Sequence, residues 1–91
     1  MKHLQQQVVE IRNKTGIHAR SASTLVQKAN SFYSEISLVY EGKEADAKSI
    51  LAVMSLGIDY GREVVVKAEG EDEEFAIKTL TEFINDLEDG E

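Results

Sequence analysis

From residue 64 to residue 87 the chain reads Val64-Val65-Val66-Lys67-Ala68-Glu69-Gly70-Glu71-Asp72-Glu73-Glu74-Phe75-Ala76-Ile77-Lys78-Thr79-Leu80-Thr81-Glu82-Phe83-Ile84-Asn85-Asp86-Leu87, and its apolar spacing changes once, at Gly70. Before the glycine, Val64, Val66 and Ala68 recur at every second residue, the period of a strand with one buried face. After it, four acids open a segment in which Ala76, Ile77, Leu80, Phe83, Ile84 and Leu87 share one face of a helix. Acids at that end suit the positive end of the helix dipole. One stretch therefore predicts a strand running straight into a helix, and the rest of the chain must supply partners for both.

Upstream, Gly57 and Gly61 frame a loop, and Ser49 stands where it can cap a short helix over residues 50–55. Ile36, Leu38 and Tyr40 alternate along an earlier strand, and Glu41-Gly42 turns it into a short one near residues 43–47. Ala22, Leu25, Val26 and Ala29 fall at i, i+3, i+4 and i+7, which predicts a helix over residues 19–30. Asn13-Lys14-Thr15-Gly16 breaks the chain before that helix, and a first strand is expected over residues 6–12 with Val9 and Ile11 toward the core. The order is βαββαβα. Four strands with two long helices on one face predict a two-layer α+β sandwich, one domain over residues 1–91.

Composition narrows the function classes. A chain of 91 residues suits one core, and 42% hydrophobic content argues against disorder. No apolar run approaches the roughly 20 residues needed to span a bilayer. No apolar segment follows Lys2, so no signal peptide is read and a cytoplasmic location is expected. Without cysteine there is no disulfide framework and no thiolate metal site, and two histidines as far apart as the terminal His3 and His18 make no metal motif. No cofactor is expected. The net charge of −7 is unevenly placed: residues 69–91 hold ten acids against Lys78 alone, whereas residues 1–68 hold nine bases and seven acids. A site for an anionic group is therefore expected in the first two thirds, and general nucleic-acid binding is not expected.

Gly16-Ile17-His18-Ala19-Arg20 carries the chemistry. A neutral imidazole is a good nucleophile toward phosphorus, and its phosphoramidate passes the group onward readily. Placing His18 just before a helix faces a bound phosphate with free backbone N–H groups. Arg20 adds charge-assisted donors, and Gly16 permits a tight loop. Taken alone, the same histidine reads equally well as a partial cap or a surface residue. In the second informative stretch, a helix as short as that after Ser49 cannot bury Ile50, Leu51, Val53, Met54 and Leu56 together. Val53 and Leu56 are expected in the core, and the others form an exposed apolar cluster suited to a partner.

Gly16-Ile17-His18-Ala19-Arg20, Ala47-Lys48-Ser49-Ile50, Val53-Met54-Ser55-Leu56-Gly57-Ile58 and Ala68-Glu69-Gly70-Glu71-Asp72-Glu73 together resemble successive motifs of the HPr family, in order and at the family's spacing. The resemblance covers residues 6–87. It implies an open-faced β-sandwich with a four-stranded antiparallel sheet, and a phosphocarrier, not itself a catalyst, of the phosphoenolpyruvate-dependent sugar phosphotransferase system. By that resemblance His18 is phosphorylated on Nδ1 by enzyme I and donates to enzyme IIA domains, with Arg20 assisting at the phosphate. Ser49 matches a serine that, in many Gram-positive relatives, an ATP-dependent HPr kinase/phosphorylase modifies; that form binds a catabolite-control transcription factor. The surface for enzyme I and IIA carried over residue by residue comprises His18, Ala19, Arg20, Ser23, Gln27, Ser49, Ile50, Leu51 and Met54. A monomer without membrane or nucleic-acid partners is expected.

Two departures stand out. Ser21 occupies the place of the family's usual proline, which predicts a less rigid entry to the first helix. The chain also ends Leu87-Glu88-Asp89-Gly90-Glu91 instead of phenylalanine-glycine, an end expected to fray. Two other readings keep the same fold. One is a regulatory homologue acting through the serine, a branch that lacks the histidine nucleophile; His18 and Arg20 count against it. The other is a dedicated phosphorelay carrier outside sugar transport, against which Ala47-Lys48-Ser49 favours the sugar system.

Overall fold

In a computed structural model the described residues are 4–88; His3 and the chain end from residue 89 lie outside them. The elements are β1 (Leu4–Glu10), α1 (Ala19–Asn30), β2 (Glu35–Tyr40), β3 (Lys43–Asp46), α2 (Ile50–Ser55), β4 (Glu63–Glu69) and α3 (Glu73–Asn85), in the expected order βαββαβα. All neighbouring strands pair antiparallel in the spatial order β1-β4-β2-β3. The fold is the open-faced sandwich.

Alternation along the central strand explains the layering. Val64, Val66 and Ala68 of β4 are buried beneath the helices, as are Ile36, Leu38 and Tyr40 of β2, while the residues between them point to the bare face. There Lys67 reaches Glu44 of β3 at 3.5 Å. Helix α1 adds Ala22, Leu25 and Ala29 to the same core, and α3 adds Ala76, Ile77, Leu80 and Ile84; Val26 and Phe83 pack half-buried at its margin. Fully buried side chains such as Leu25, Leu38, Leu80 and Ile84 each contribute about 1.5–3 kcal/mol of apolar burial.

Three boundaries differ from expectation, each because a partner decides it. Strand β1 covers Leu4–Glu10, not residues 6–12, since its register runs from Leu4↔Glu69 to Glu10↔Glu63 and β4 extends no further. Ile11 leaves the ladder yet donates its N–H to the Arg62 carbonyl at 2.8 Å and accepts from Gly61 at 2.9 Å. Strand β3 ends at Asp46, after which the Ala47 N–H still reaches the Ile36 carbonyl at 2.9 Å. Helix α3 begins at Glu73, and its N-cap Asp72 leaves its own helix uncapped. The Asp72 carboxylate instead accepts the Tyr33 and Ser34 N–H groups, each at 2.9 Å, and the Ser34 hydroxyl at 2.6 Å.

Candidate functional site

The loop that carries His18 is pinned group by group. The Gly16 N–H donates to the Asn13 carbonyl at 3.1 Å, the Asn13 Nδ2 donates to the Gly16 carbonyl at 2.7 Å, and the Ile17 N–H donates to the Ile58 carbonyl at 3.1 Å. Gly16 sits at φ +65, and a Cβ there would lie 2.5 Å from the Ile58 carbonyl oxygen. No residue with a side chain fits, so the loop's contact with the 58–59 segment requires glycine. His18 itself, half-buried and extended, is the N-cap of α1, with its carbonyl accepting the Ala22 N–H at 2.7 Å.

Ser21, where a less rigid helix entry is expected, makes hydrogen bonds of its own. Its Oγ accepts the His18 N–H at 3.0 Å and donates to the His18 carbonyl at 3.2 Å, and the residue is buried. The imidazole takes the reciprocal place of a capping box, over the Ser21 N–H, without a strict hydrogen bond. Serine therefore ties the histidine's main chain where the family's proline would only restrict φ.

The electrostatics suit an anion. The first turn of α1 holds no acid, whereas that of α3 holds Glu73 and Glu74. The opening N–H groups of α1 have no intrahelical acceptor, and the exposed Arg20 has no ion pair among the described residues. The helix start thus offers backbone donors beside His18, with the exposed Arg20 two residues on.

Around this loop, Ala19 and Gln27 are exposed and Ser23 is half-buried on α1, which packs against α2. On α2, Leu51 is 81% exposed and Ile50 and Met54 each 41%, while Val53 and Leu56 are buried as expected. Ser49 is the N-cap, its Oγ accepting the Ala52 N–H at 3.3 Å. The structure thus brings the expected partner residues onto two neighbouring helices. A cavity of about 540 Å³ between Leu4, Glu35, Asp46, Lys48 and Lys67 includes none of them. Among the described residues no group of three or more His, Cys, Asp or Glu could hold a metal, and no helix is long and apolar enough to cross a membrane.

Two contributors escaped the sequence reading. Asn13, read only as a strand breaker, is buried and holds the loop; its local pattern is that of any turn. Ser21 lies three residues after the N-cap, the spacing of a capping box, and that spacing was the available signal.

Comparison with known proteins agrees with this geometry. The family described as PTS HPr component phosphorylation site matches residues 5–86. HPr-like protein Crh of Bacillus subtilis is 46% identical over 81 residues, spanning 89% of this chain and 95% of that one. The Crh crystal structure, described as a domain-swapped dimer, superposes with a TM-score of 0.72 at 46% identity, covering 86% and 90% of the two chains. HPr-C-His from Thermoanaerobacter tengcongensis gives a TM-score of 0.84 at 48% identity over 88% of this chain and 90% of that one. The phosphocarrier protein HPr of Bacillus anthracis gives 0.85 at 37% identity over 89% and 96%. On fold, site geometry and sequence alike, the chain belongs to the HPr family of phosphocarrier proteins.

Proposed function

We propose that this chain is the carrier of a sugar phosphotransferase system: His18 takes a phosphoryl group from enzyme I and delivers it to enzyme IIA domains. In each transfer an N–P bond forms at the imidazole as the donor's bond to phosphorus breaks, and the reverse occurs on delivery. Arg20 and the first-turn amides hold the phosphoryl oxygens. Ala19, Ser23, Gln27, Ile50, Leu51 and Met54 form the docking surface. Ser49 is the regulatory position, served by an HPr kinase/phosphorylase and read by a catabolite-control transcription factor. The chain acts in the cytoplasm as a monomer, and light scattering at 10.1 kDa checks it.

The observation that carries the reading is His18 as the N-cap of an acid-free helix start, with Arg20, which has no ion pair among the described residues, two residues on. The identity to Crh favours a second reading, regulation through Ser49 alone. The two separate cleanly on incubation with phosphoenolpyruvate and purified enzyme I. The carrier gains one acid-labile, base-stable phosphate by intact mass, and His18→Ala gains none. Labelling of His18→Ala equal to wild type sinks the assignment to His18. No labelling of wild type, with Ser49 modified by an ATP-dependent kinase, favours the regulator.

A further inference from the structure

Asn13 is 4% exposed, and its Oδ1 is the single buried side-chain oxygen or nitrogen without a hydrogen-bond partner among the described residues. Its Nδ2 is fully engaged, on the Gly16 carbonyl at 2.7 Å and the Thr15 Oγ1 at 3.1 Å. A half-satisfied carboxamide is a poor way to stabilise an interior, where leucine has the same number of side-chain heavy atoms and no polar atom to bury. What leucine cannot do is hold a carbonyl. The carbonyl held here belongs to the Gly16–Ile17 peptide, whose N–H is gripped from the other side by the Ile58 carbonyl at 3.1 Å. With both ends fixed, that peptide plane cannot rotate. The next N–H along the chain, that of His18, is taken by the Ser21 Oγ at 3.0 Å.

We propose that Asn13 is a positioning residue for phosphoryl transfer: its buried carboxamide fixes the Gly16–Ile17 peptide and thereby holds His18 against the first turn of α1. Asn13 touches neither donor nor acceptor protein, so its effect falls on the rate at the ring and not on docking. The inference rests on the carrier reading for its role, and its test is arranged to stand apart from it.

The test compares the full chain with Asn13→Leu and Asn13→Ala, using enzyme I as one donor and phosphoramidate, which needs no docking, as the other. Labelling of His18 is followed by peptide mass mapping, and folding by circular dichroism. Both variants are expected to lose about tenfold in maximal rate with either donor, as misplacing a reacting group does, while KM for enzyme I stays within about twofold. Because Asn13→Leu leaves the Gly16 carbonyl without its donor, it is expected to melt below wild type. Rates are therefore compared at a temperature where circular dichroism shows all three proteins folded. A loss of maximal rate there, with KM for enzyme I unchanged, is an outcome a merely structural residue does not give. Wild-type maximal rates in either folded variant overturn the proposal. If enzyme I fails to label the wild type, the carrier reading falls alone, because phosphoramidate still ranks the three proteins.

Discussion

Ser21 serves His18 at both ends with a single hydroxyl, accepting from its N–H and donating to its carbonyl. The side chain is buried, so removing it leaves the His18 N–H without its acceptor in a site that water does not easily fill. Ser21→Ala is expected to cost about 0.5–1.5 kcal/mol, read from the urea midpoint, with faster amide exchange at His18. Proline at this position restricts the unfolded chain and gains about 0.4–1 kcal/mol on that account. It also deletes both hydroxyl bonds. Ser21→Pro is therefore expected to melt no higher than wild type, and a clear rise in melting temperature would show that the serine bonds contribute little.

Helix α2 has six residues, too few to be stable on its own, and its start is built by side chains from elsewhere. Ser49 caps it, and the preceding Lys48 is held by three partners. Its N–H donates to the Asp46 Oδ1 at 2.9 Å, its carbonyl accepts the Asn30 Nδ2 at 3.2 Å, and its Nζ donates to the Phe32 carbonyl at 2.9 Å. Ser49→Ala is expected to cost about 0.5–2 kcal/mol as the loss of an N-cap. Ser49→Asp keeps a capping oxygen and should fold normally by circular dichroism. It places a charge beside the exposed Ile50, Leu51 and Met54, and docking there must desolvate it. Enzyme I should thus label Ser49→Asp more slowly than Ser49→Ala. Equal rates would leave Ser49 as a helix cap and nothing more.

Across the whole molecule, Asp72 joins segments 38 residues apart, bringing the connection between α1 and β2 onto the start of α3. Gly70 completes the contact, since a Cβ there would meet the Ser34 Cα at 2.6 Å. The hydroxyl of Ser34, with the N–H groups of Tyr33 and Ser34, holds the Asp72 carboxyl below its ordinary value of 3.8. A carboxylate lowered in this way stabilises the fold fully above that value, and the contribution is lost as pH falls through the lower folded one. Asp72→Asn is expected to melt below wild type at neutral pH, with the gap narrowing well below pH 3.8. A gap that is constant with pH would mean that the negative charge adds nothing to the three hydrogen bonds.

Spacing within a few residues determined what the sequence alone could show. The period of Ala22, Leu25 and Ala29 places α1 at its observed limits, alternation places Ile36, Leu38 and Tyr40 in the core, and Ser49 declares its cap three residues ahead of its donor. The histidine motif is likewise legible, because His18 and Arg20 need only a helix start between them. Tertiary structure decided the rest. The ends of β1 follow from where β4 stops, and the burial of Asn13 follows from packing of the loop against the 58–59 segment. Asp72, read as one of four acids favouring its own helix, turns to Ser34, which folding alone brings near. A local bond is encoded in the interval between its partners; a bond across 38 residues exists only once the sheet has placed both chains side by side.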